Sequence, residues 1–505
     1  MAHLRILRAF ACLTVLVILI APLTAATANN AVTQWNSALQ RTIRKLSIAN
    51  QISSRYFSLL HVAQYQALTV NNGKINETAV AAFAAHFIAS EYFPNEQSNN
   101  YDLLIQAQTA GLNSTVISNA RALAIPIAVA LISNRTNDGS QQWAQFRFAP
   151  LNTVGAYQPT PNQVTAVYPQ LASTNTWVTP PASQWVPQQF ANLSHAKIGS
   201  PQYDQEYQAS KLYGYLNSTA RDAYQQLTPY FWADDTNTAA ITGHWSNITA
   251  TVLPSNISLL ETAELYAKLH VAFYDSNIAG WYIKFTSLFW RPVTAIQEGD
   301  PQHPADPSWL PLLNTPGHPE FPSTHSVSSG AAAAVLARYF GTDNVTFTIA
   351  SEYPNQVLQP RQFSSFSSAA IEIANSRVYG GIHFPSSGPN GLTVGIVSAN
   401  YAYQHFQQLT PSNGAAPSVG LYTDLPVSDG SFTNLANAPP RDGVAVPGPA
   451  PAFPSIALAS EINGTSVPAT AAVVPATALV GTIYGTAGPS SAPGMARATA
   501  PAPQG

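Results

Sequence analysis

The sequence predicts an all-α protein with long irregular excursions and a C-terminal tail. Apolar residues recur at three- and four-residue spacings through long stretches of the chain, which is typical of amphipathic helices. The alternation of apolar and polar residues that marks strands is nearly absent. Hydrophobic residues make up 46% of the 505 residues, with 9 Trp, 22 Tyr and 21 Phe, and this content excludes wholesale disorder. We therefore expect one large helical domain with a sizeable core.

Residues 1–28 are expected to be a secretory signal peptide. Arg5 and Arg8 precede an apolar run, and the small residues Ala26 and Ala28 suit cleavage after Ala28. The alternative, a signal anchor, is disfavoured because the apolar run is short for a bilayer span. No other segment approaches ~18 uninterrupted apolar residues, so no stable membrane span is expected once the signal is removed.

The predicted catalytic domain covers residues 29–410 as one helical unit. Helical periodicity is found in four segments, which are 33–135, 258–290, 327–340 and 391–409. Residues 137–200 are richer in Pro, Gln, Asn and Thr, and we expect an irregular excursion over the surface there. Residues 411–505 are rich in Pro, Ala and Ser, and this composition predicts a disordered tail.

Sequons and cysteine usage favour a secreted glycoprotein. Asn-x-Ser/Thr occurs at Asn76, Asn113, Asn134, Asn192, Asn217, Asn247, Asn256, Asn344 and Asn463. Downstream of a signal peptide, so many sequons favour N-glycosylation in an extracellular setting. The only cysteine, Cys12, lies inside the signal, so the mature chain has neither disulfides nor thiolate metal sites.

The chain is poor in charge, and three short stretches collect an unusual share of its cations and histidines. Charged residues make up only 9%, and the net charge of −3 gives no basic surface for nucleic acid and no polybasic membrane patch. The stretches are KFTSLFWRP (284–292), PSTHS (322–326) and SRVYGGIH (376–383). A bound tetrahedral oxyanion is the best explanation for all three together.

The first stretch places two cations seven residues apart. On a helix, this spacing is ~700° of rotation, so Lys284 and Arg291 are expected on the same helical face. Phe285, Leu288 and Phe289 lie between them and indicate a largely buried helix, in which cations need a partner. Alternatively, the two are surface charges with stems packed on the protein.

The second stretch has the features of a helix N-terminus that binds an anion. Ser323 precedes an Ala-rich segment and is a natural N-cap, so the amides of Thr324 and His325 would lie at the positive end of the helix. His325 beside a bound anion would suit proton transfer. The alternative is an ordinary cap followed by a structural histidine.

The third stretch joins a cation to a histidine through glycine. On a continuous helix Arg377 and His383 would point apart, but Gly380 and Gly381 allow the backbone to turn so that both face one point. The alternative is a helix that simply stops at the glycines, with Arg377 near its end.

In this order, Lys-x6-Arg-Pro, Pro-Ser-x-His and Ser-Arg-x5-His resemble the signature of the vanadium-dependent haloperoxidases. The related type 2 phosphatidic acid phosphatases and class A acid phosphatases share it. The flanking sequences resemble the soluble haloperoxidase branch more closely, and they are FWADDTNTAAITGHWSNIT (231–249), AGWYIKFTSLFWRPVTAIQ (279–297), TPGHPEFPSTHS (315–326) and SRVYGGIHF (376–384). The resemblance spans roughly residues 33–410 and implies a helical bundle of this type.

The resemblance assigns a role to each motif residue. It implies that His383 is the axial vanadium ligand, and the covalent nucleophile if a phosphate ester occupied the pocket. The residues implied to bind the vanadate oxygens are Lys284, Arg291, Ser323, Thr324 and Arg377. His325 would move protons during the reaction with hydrogen peroxide, and Lys284 would polarise the peroxide for halide attack.

Four positions need comment against the family pattern. Thr324 stands where the family usually has Gly. His318 falls where the chloroperoxidases carry Phe and the bromoperoxidases carry His, which favours bromide or iodide. Ser387 replaces an Asp that supports the ligand histidine in the family. Asp235, in the FWADD stretch, is the expected acid beside Arg377.

The function expected from the sequence is that of a secreted vanadate-dependent haloperoxidase that oxidises halide with hydrogen peroxide. One alternative is a secreted acid phosphatase that acts through a phosphohistidine, since phosphate has the shape of vanadate. A second is a catalytically weak structural glycoprotein. A zinc site is disfavoured because His303, His318 and His325 lack the usual spacing. Members of the resembled family often assemble, so an oligomer is compatible with the sequence.

Overall fold

The computed structural model describes residues 29–141, 153–160, 166–235, 237–355 and 357–411, all within one compact unit. The predicted signal peptide, the predicted tail beyond residue 411 and the sequon at Asn463 lie outside these residues. The α-helices of the described part are α1 (Ala31–Lys45), α2 (Asn50–Asn71), α3 (Glu77–Tyr92), α4 (Asp102–Thr109), α5 (Ser114–Arg135), α6 (Ala182–Gln189), α7 (Pro201–Gly214), α8 (Ala223–Phe231), α9 (Ala240–Val252), α10 (Leu259–Ser287), α11 (Pro292–Glu298), α12 (Thr324–Phe340), α13 (Phe366–Tyr379) and α14 (Ser387–Gln404).

The prediction of an all-α fold is confirmed. Strands β1 (Phe347–Ile349) and β2 (Arg361–Phe363) form one short antiparallel ladder, in which Phe347 lies opposite Phe363. They are the only strands in the ranges given above. Everything else that positions the site is helix or irregular backbone.

Helix α10 is the centre of the bundle and packs against α2, α12 and α14. It begins at a capping box in which Ser258 accepts from the amide of Glu261, and this satisfies donors at the helix start. Of its 29 residues, 20 are buried, so most of the helix lies in the core rather than against solvent. It ends where Leu288 adopts a left-handed conformation with φ of 46°.

The irregular excursion is not confined to the surface, so this part of the prediction is wrong. Trp177 and Trp185 are buried in the core. The buried carboxylate of Asp275 on α10 accepts the amides of Trp177, Val178 and Thr179 at 2.6, 2.8 and 2.8 Å. A carboxylate satisfied by three backbone donors holds the segment against α10.

Helices α12 and α14 cross at very short range because glycines line their contact. A Cβ on Gly330 would lie 2.4 Å from the carbonyl oxygen of Leu392, and a Cβ on Gly395 would lie 2.0 Å from that of Val327. Only residues without a side chain allow two backbones to approach so closely. The crossing holds the N-terminus of α12, where the second motif lies, next to the start of α14, which follows the third motif.

Helix α5 is the one helix in the described ranges that is long and apolar enough to cross a bilayer, by length and composition alone. Ala120, Ala124, Ala128 and Leu131 face the bundle, and the helix packs against α3 and α2. A mostly buried core helix of a soluble protein passes the same test, whereas only 22% of the apolar window of α5 is buried.

Candidate active site

The first motif is not one continuous helix, so that expectation is wrong. Lys284 lies in the last turn of α10, the chain then runs extended, and Arg291 is the N-cap residue of α11. The amide of Trp290 bonds to the carbonyl of Gly155, a contact that uses the backbone outside a helix. Even so, Lys284 and Arg291 are both fully buried and reach the same site.

The two cations hold backbone carbonyls of the segment before α12. Lys284 Nζ donates to the carbonyls of Pro319 and Glu320, each at 2.9 Å. Arg291 donates to the carbonyls of His318 (2.9 Å) and Ile382 (2.7 Å). The guanidinium thus joins the segment before α12 to the third motif.

Arg291 also bonds to two histidine rings. Its Nη1 lies 3.0 Å from Nε2 of His383, and its Nη2 lies 3.0 Å from Nδ1 of His318. Because a guanidinium can only donate, both ring nitrogens must accept. The Pro319 carbonyl, 3.3 Å from the same Nδ1 of His318, therefore makes no hydrogen bond to the neutral ring. His318 also packs on Trp281, with 4.7 Å between ring centroids.

Ser323 caps α12 as predicted. Its hydroxyl oxygen accepts from the amide of Ser326 at 3.4 Å, and its own amide donates to the carbonyl of Ser387 at 3.1 Å. The first-turn amides, including those of Thr324 and His325, lie at the positive end of a 17-residue helix. Nε2 of His325 lies 3.3 Å from the carbonyl of Ala233 and therefore carries its proton on that side.

The turn predicted at the glycines is confirmed. Helix α13 ends at Tyr379, and Gly381 takes φ of +73° beside Gly214, where a Cβ would lie 2.4 Å from a carbonyl oxygen. Arg377, in the last turn of α13, donates from Nη1 to the carbonyl of Trp232 at 3.0 Å. Its buried Nε has no hydrogen-bond partner among the described residues.

These residues meet at one cavity of about 590 Å³. The predicted site residues that line it are His318, Thr324, His325, Arg377, His383 and Asp235. Lys284, Arg291, Ser323 and Ser387 contact this set from the surrounding protein without lining the cavity. The structure therefore brings all three motifs together. Of the three cations, Arg377 lines the cavity, and Lys284 and Arg291 lie behind its lining residues.

The site is electrostatically unfavourable for its own cations. Burial, followed by the charge of Arg291, lowers the pKa of Lys284 well below its ordinary value. Burial lowers the pKa of Arg291 and of Arg377 to about 10. A polyatomic anion in the cavity would compensate these charges.

The histidines of the site are held neutral by the same environment. Burial is the main cause that lowers the pKa of His318, His325 and His383 well below the usual range, and the neighbouring cations lower each further. A neutral imidazole keeps a lone pair on one nitrogen, as a ligand or base requires.

Glu320 is the residue of the candidate site that the sequence reasoning missed. Its fully buried carboxylate accepts from Nδ1 of His383 (2.8 Å) and from the amide of Phe384 (2.9 Å) through Oε1, and from the hydroxyl of Ser387 (2.7 Å) through Oε2. Burial raises the pKa of Glu320, while Arg291 acts in the opposite direction. The one available signal was an acidic residue inside HPEFPSTH, in a chain with few charges.

Of the two adjacent aspartates, Asp234 affects the pKa of Arg377 more strongly than the predicted Asp235 does. Asp234 is buried and its Oδ1 lies 2.8 Å from Nδ1 of His244, whereas Asp235 is exposed at the cavity. Both carboxylates raise the pKa of Arg377 against burial, and Asp234 contributes more. Two adjacent aspartates could not be told apart from the sequence.

His303, the third histidine considered for a zinc site, does not line the cavity. His303 is held between Asp300 and Asp204, at 2.8 Å from each, and stacks on Tyr207. Across the described ranges no group of three or more His, Cys, Asp or Glu residues is arranged to hold a metal ion.

The fold and the site define an all-helical protein in which buried cations and neutral histidines surround one anion-sized cavity. A family model described as the VCPO second helical-bundle domain matches residues 264–412, which contain all three motifs. Vanadium chloroperoxidase of Curvularia inaequalis is 31% identical over 148 residues, and the chain spans about a quarter (24%) of the length of that relative.

Two solved structures extend the likeness to most of the described fold. The first bacterial vanadium-dependent iodoperoxidase has 25% identity and a TM-score of 0.63, with 74% of this chain and 95% of that chain covered. A holo-type bacterial vanadium-dependent chloroperoxidase has a TM-score of 0.58 at 17% identity, with 76% and 98% covered, and this likeness shows the fold. Together, these likenesses support the vanadium haloperoxidase superfamily, with the family model confined to residues 264–412.

Proposed function

We propose that the cavity binds vanadate and that the protein is a vanadate-dependent haloperoxidase, which oxidises halide with hydrogen peroxide to a hypohalous-acid equivalent. The observation that carries the proposal is the burial of Lys284, Arg291 and Arg377 around one cavity, where burial lowers the pKa of each. A chain with 9% charged residues would gain nothing from this cluster without an anion.

The donors of the site fit a tetrahedral oxyanion. Lys284 uses two of its three N–H groups on carbonyls, Arg291 keeps one of five after its bonds to carbonyls and rings, and Arg377 has an unpartnered Nε. These donors and the Thr324 amide would hold vanadate oxygens, with Ser323 in support. Nε2 of His383, which accepts from Arg291 in this structure, would bind the vanadium.

When bound, vanadate supplies a Lewis-acidic centre that activates hydrogen peroxide toward halide without changing its own oxidation state. The protein supplies position and protons. His325 is neutral and keeps its Nε2 proton on the Ala233 carbonyl, so Nδ1 is free to take a proton. Lys284, which has one N–H not used on the Pro319 and Glu320 carbonyls, would stabilise negative charge on an oxygen of the bound group.

We further propose bromide or iodide as the preferred halide. His318 occupies the position that carries Phe in the chloroperoxidases, and it lines the cavity beside Trp281.

A second candidate is a phosphatase that acts through a phosphohistidine. It is favoured by one observation, that Nε2 of His383 carries its lone pair while Nδ1 is held by a carboxylate, as a nucleophilic imidazole requires. The same donors would bind phosphate as well as vanadate.

A paired assay tests these functions. Purified mature protein loaded with orthovanadate should brominate a phenol indicator when given peroxide and bromide. His383→Ala should lose this activity, and His86→Ala, a half-buried histidine outside the cavity, should keep it. Activity that is insensitive both to vanadate and to His383→Ala would refute the proposal. Hydrolysis of p-nitrophenyl phosphate without any halogenation would instead identify the phosphatase. The absence of both activities would identify the structural glycoprotein.

We also propose that the protein is secreted and N-glycosylated. Of the sequons that the structure describes, seven have exposed asparagines, and they are Asn76, Asn113, Asn134, Asn192, Asn217, Asn256 and Asn344. The eighth, Asn247, is half-buried in α9 and bonds to Glu352 and Gln40. Accessible acceptors in this number support an extracellular glycoprotein.

A further inference from the structure

We propose that Glu320, held by Ser387, is the positioning residue of His383 and takes the place of the aspartate that residue 387 lacks. The proposal rests on the function proposed above, since it concerns the histidine that would bind vanadate. Glu320 is fully buried, and its two oxygens accept from His383, Phe384 and Ser387 at 2.7–2.9 Å.

The His383 ring is constrained from both sides. Arg291 can only donate, so Nε2 of His383, 3.0 Å away, carries the lone pair. The neutral ring must then carry its proton on Nδ1, which donates to Glu320 at 2.8 Å. Tautomer and ring orientation are therefore set together, with the basic nitrogen on the side of Arg291. A carboxylate on the far nitrogen also increases the basicity of a ligating histidine.

Ser387 is part of this arrangement rather than a defect in it. Its hydroxyl donates to the second oxygen of Glu320, and the amide of Phe384 donates to the first. An aspartate in place of Ser387 would bring a second buried carboxylate against Glu320, and like-charge repulsion disfavours such a pair. The carboxylate thus reaches His383 from the segment before α12 instead of from the first turn of α14.

The arrangement is closed by Lys284 and Arg291. Lys284 binds the backbone carbonyl of Glu320, and Arg291 binds that of His318, so the two predicted anion-binding cations also hold the segment that carries the carboxylate. Removal of the Glu320 charge would leave the cations in place and make the cavity more positive. A weaker affinity for vanadate after this substitution would therefore come from His383, since the change in charge by itself favours anion binding.

The test compares two oxyanions by titration calorimetry. Inorganic phosphate would be held by charge and hydrogen bonds alone, whereas orthovanadate would also bond to His383. For Glu320→Gln we expect vanadate to bind about 10- to 100-fold more weakly, the range for loss of a partner behind a metal ligand. Phosphate should bind as tightly as before or more tightly. A fall in both affinities would indicate a merely structural role and overturn the inference.

Two further variants complete the test. Glu206→Gln is the matched control, because Glu206 is also a buried glutamate bonded to a serine, Ser386, and lies outside the cavity lining; it should leave both affinities unchanged. Glu320→Ala combined with Ser387→Asp moves the carboxylate to residue 387 and should recover at least part of the vanadate affinity that Glu320→Ala loses. No recovery in a variant that still binds phosphate would count against the positioning role.

The proposed function can fail separately from this inference. If the wild-type protein binds vanadate no better than phosphate, and His383→Ala changes neither affinity, the vanadate site itself is refuted. If the wild type prefers vanadate but Glu320→Gln leaves that preference intact, the site stands and the role of Glu320 is wrong.

Discussion

Replacement of Gly395 by alanine should disturb the site from more than one helical turn away. Gly395 lies where α14 crosses α12, and a Cβ there would lie 2.0 Å from the carbonyl oxygen of Val327 and 2.7 Å from the amide of Ala331. Carbon and oxygen atoms normally approach to about 3.3 Å. The helices must therefore separate by about 1.3 Å, because both obstructing groups are backbone atoms.

The expected cost follows from this displacement. Overpacking of a core costs about 1–3 kcal/mol, and alanine recovers about 1 kcal/mol of helix propensity over glycine. A shift as large as the one required belongs at the upper end, so we expect Gly395→Ala to lower the free energy of unfolding by about 2 kcal/mol. The bond between the Ser323 amide and the Ser387 carbonyl, now 3.1 Å, crosses the same pair of helices and should lengthen.

Urea unfolding and vanadate titration measure the two effects. Gly280→Ala is the matched control, since its Cβ would meet the same Val327 through a side-chain methyl at 3.2 Å, which small rearrangement relieves. We expect the control to change stability by less than about 0.5 kcal/mol, and Gly395→Ala to weaken vanadate binding by at least about tenfold. Equal stability and equal affinity of the two variants would refute the reasoning.

Two further outcomes are expected. Burial lowers the pKa of His61 to about 3, so below about pH 6.5 the unfolded chain binds a proton at His61 that the folded chain does not. Between pH 7 and pH 5, the free energy of unfolding of the wild type should therefore fall by about 2 kcal/mol more than that of His61→Gln, as measured by urea unfolding. Parallel pH profiles of the two proteins would contradict this. Glycopeptide analysis of protein secreted from a eukaryotic host should find sugar at the exposed Asn217 and none at Asn247, whose amide group bonds to Glu352 and Gln40 inside α9; an occupied Asn247 in folded protein would show that α9 is packed differently.

Local signals predicted several features correctly because their causes are local. The cap at Ser323 depends on a hydroxyl that accepts a hydrogen bond from an amide three residues later. The turn after Arg377 depends on a glycine that tolerates φ of +73°. Helical periodicity likewise reports burial along one element.

The errors came from features that depend on distant residues. Apolar periodicity continues past Leu288, but the helix ends there because the following backbone bonds to the 155–157 segment, well over a hundred residues earlier. The excursion around Trp177 is drawn into the core by Asp275, 98 residues later in the chain. Neither partner can be identified from spacing.

By itself, the sequence determined the chemical components of this protein: a helical chain poor in charge, with Lys284, Arg291, Arg377 and two motif histidines in a recognisable order. Only the tertiary structure decided how those components are supported. Ser387, read along the chain, indicated a lost carboxylate, whereas in the fold Glu320 brings one to His383 from 63 residues away. The physical reason is that a hydrogen bond requires two atoms within about 3 Å, and that proximity is created by the crossing of α12 and α14 rather than by any spacing in the sequence.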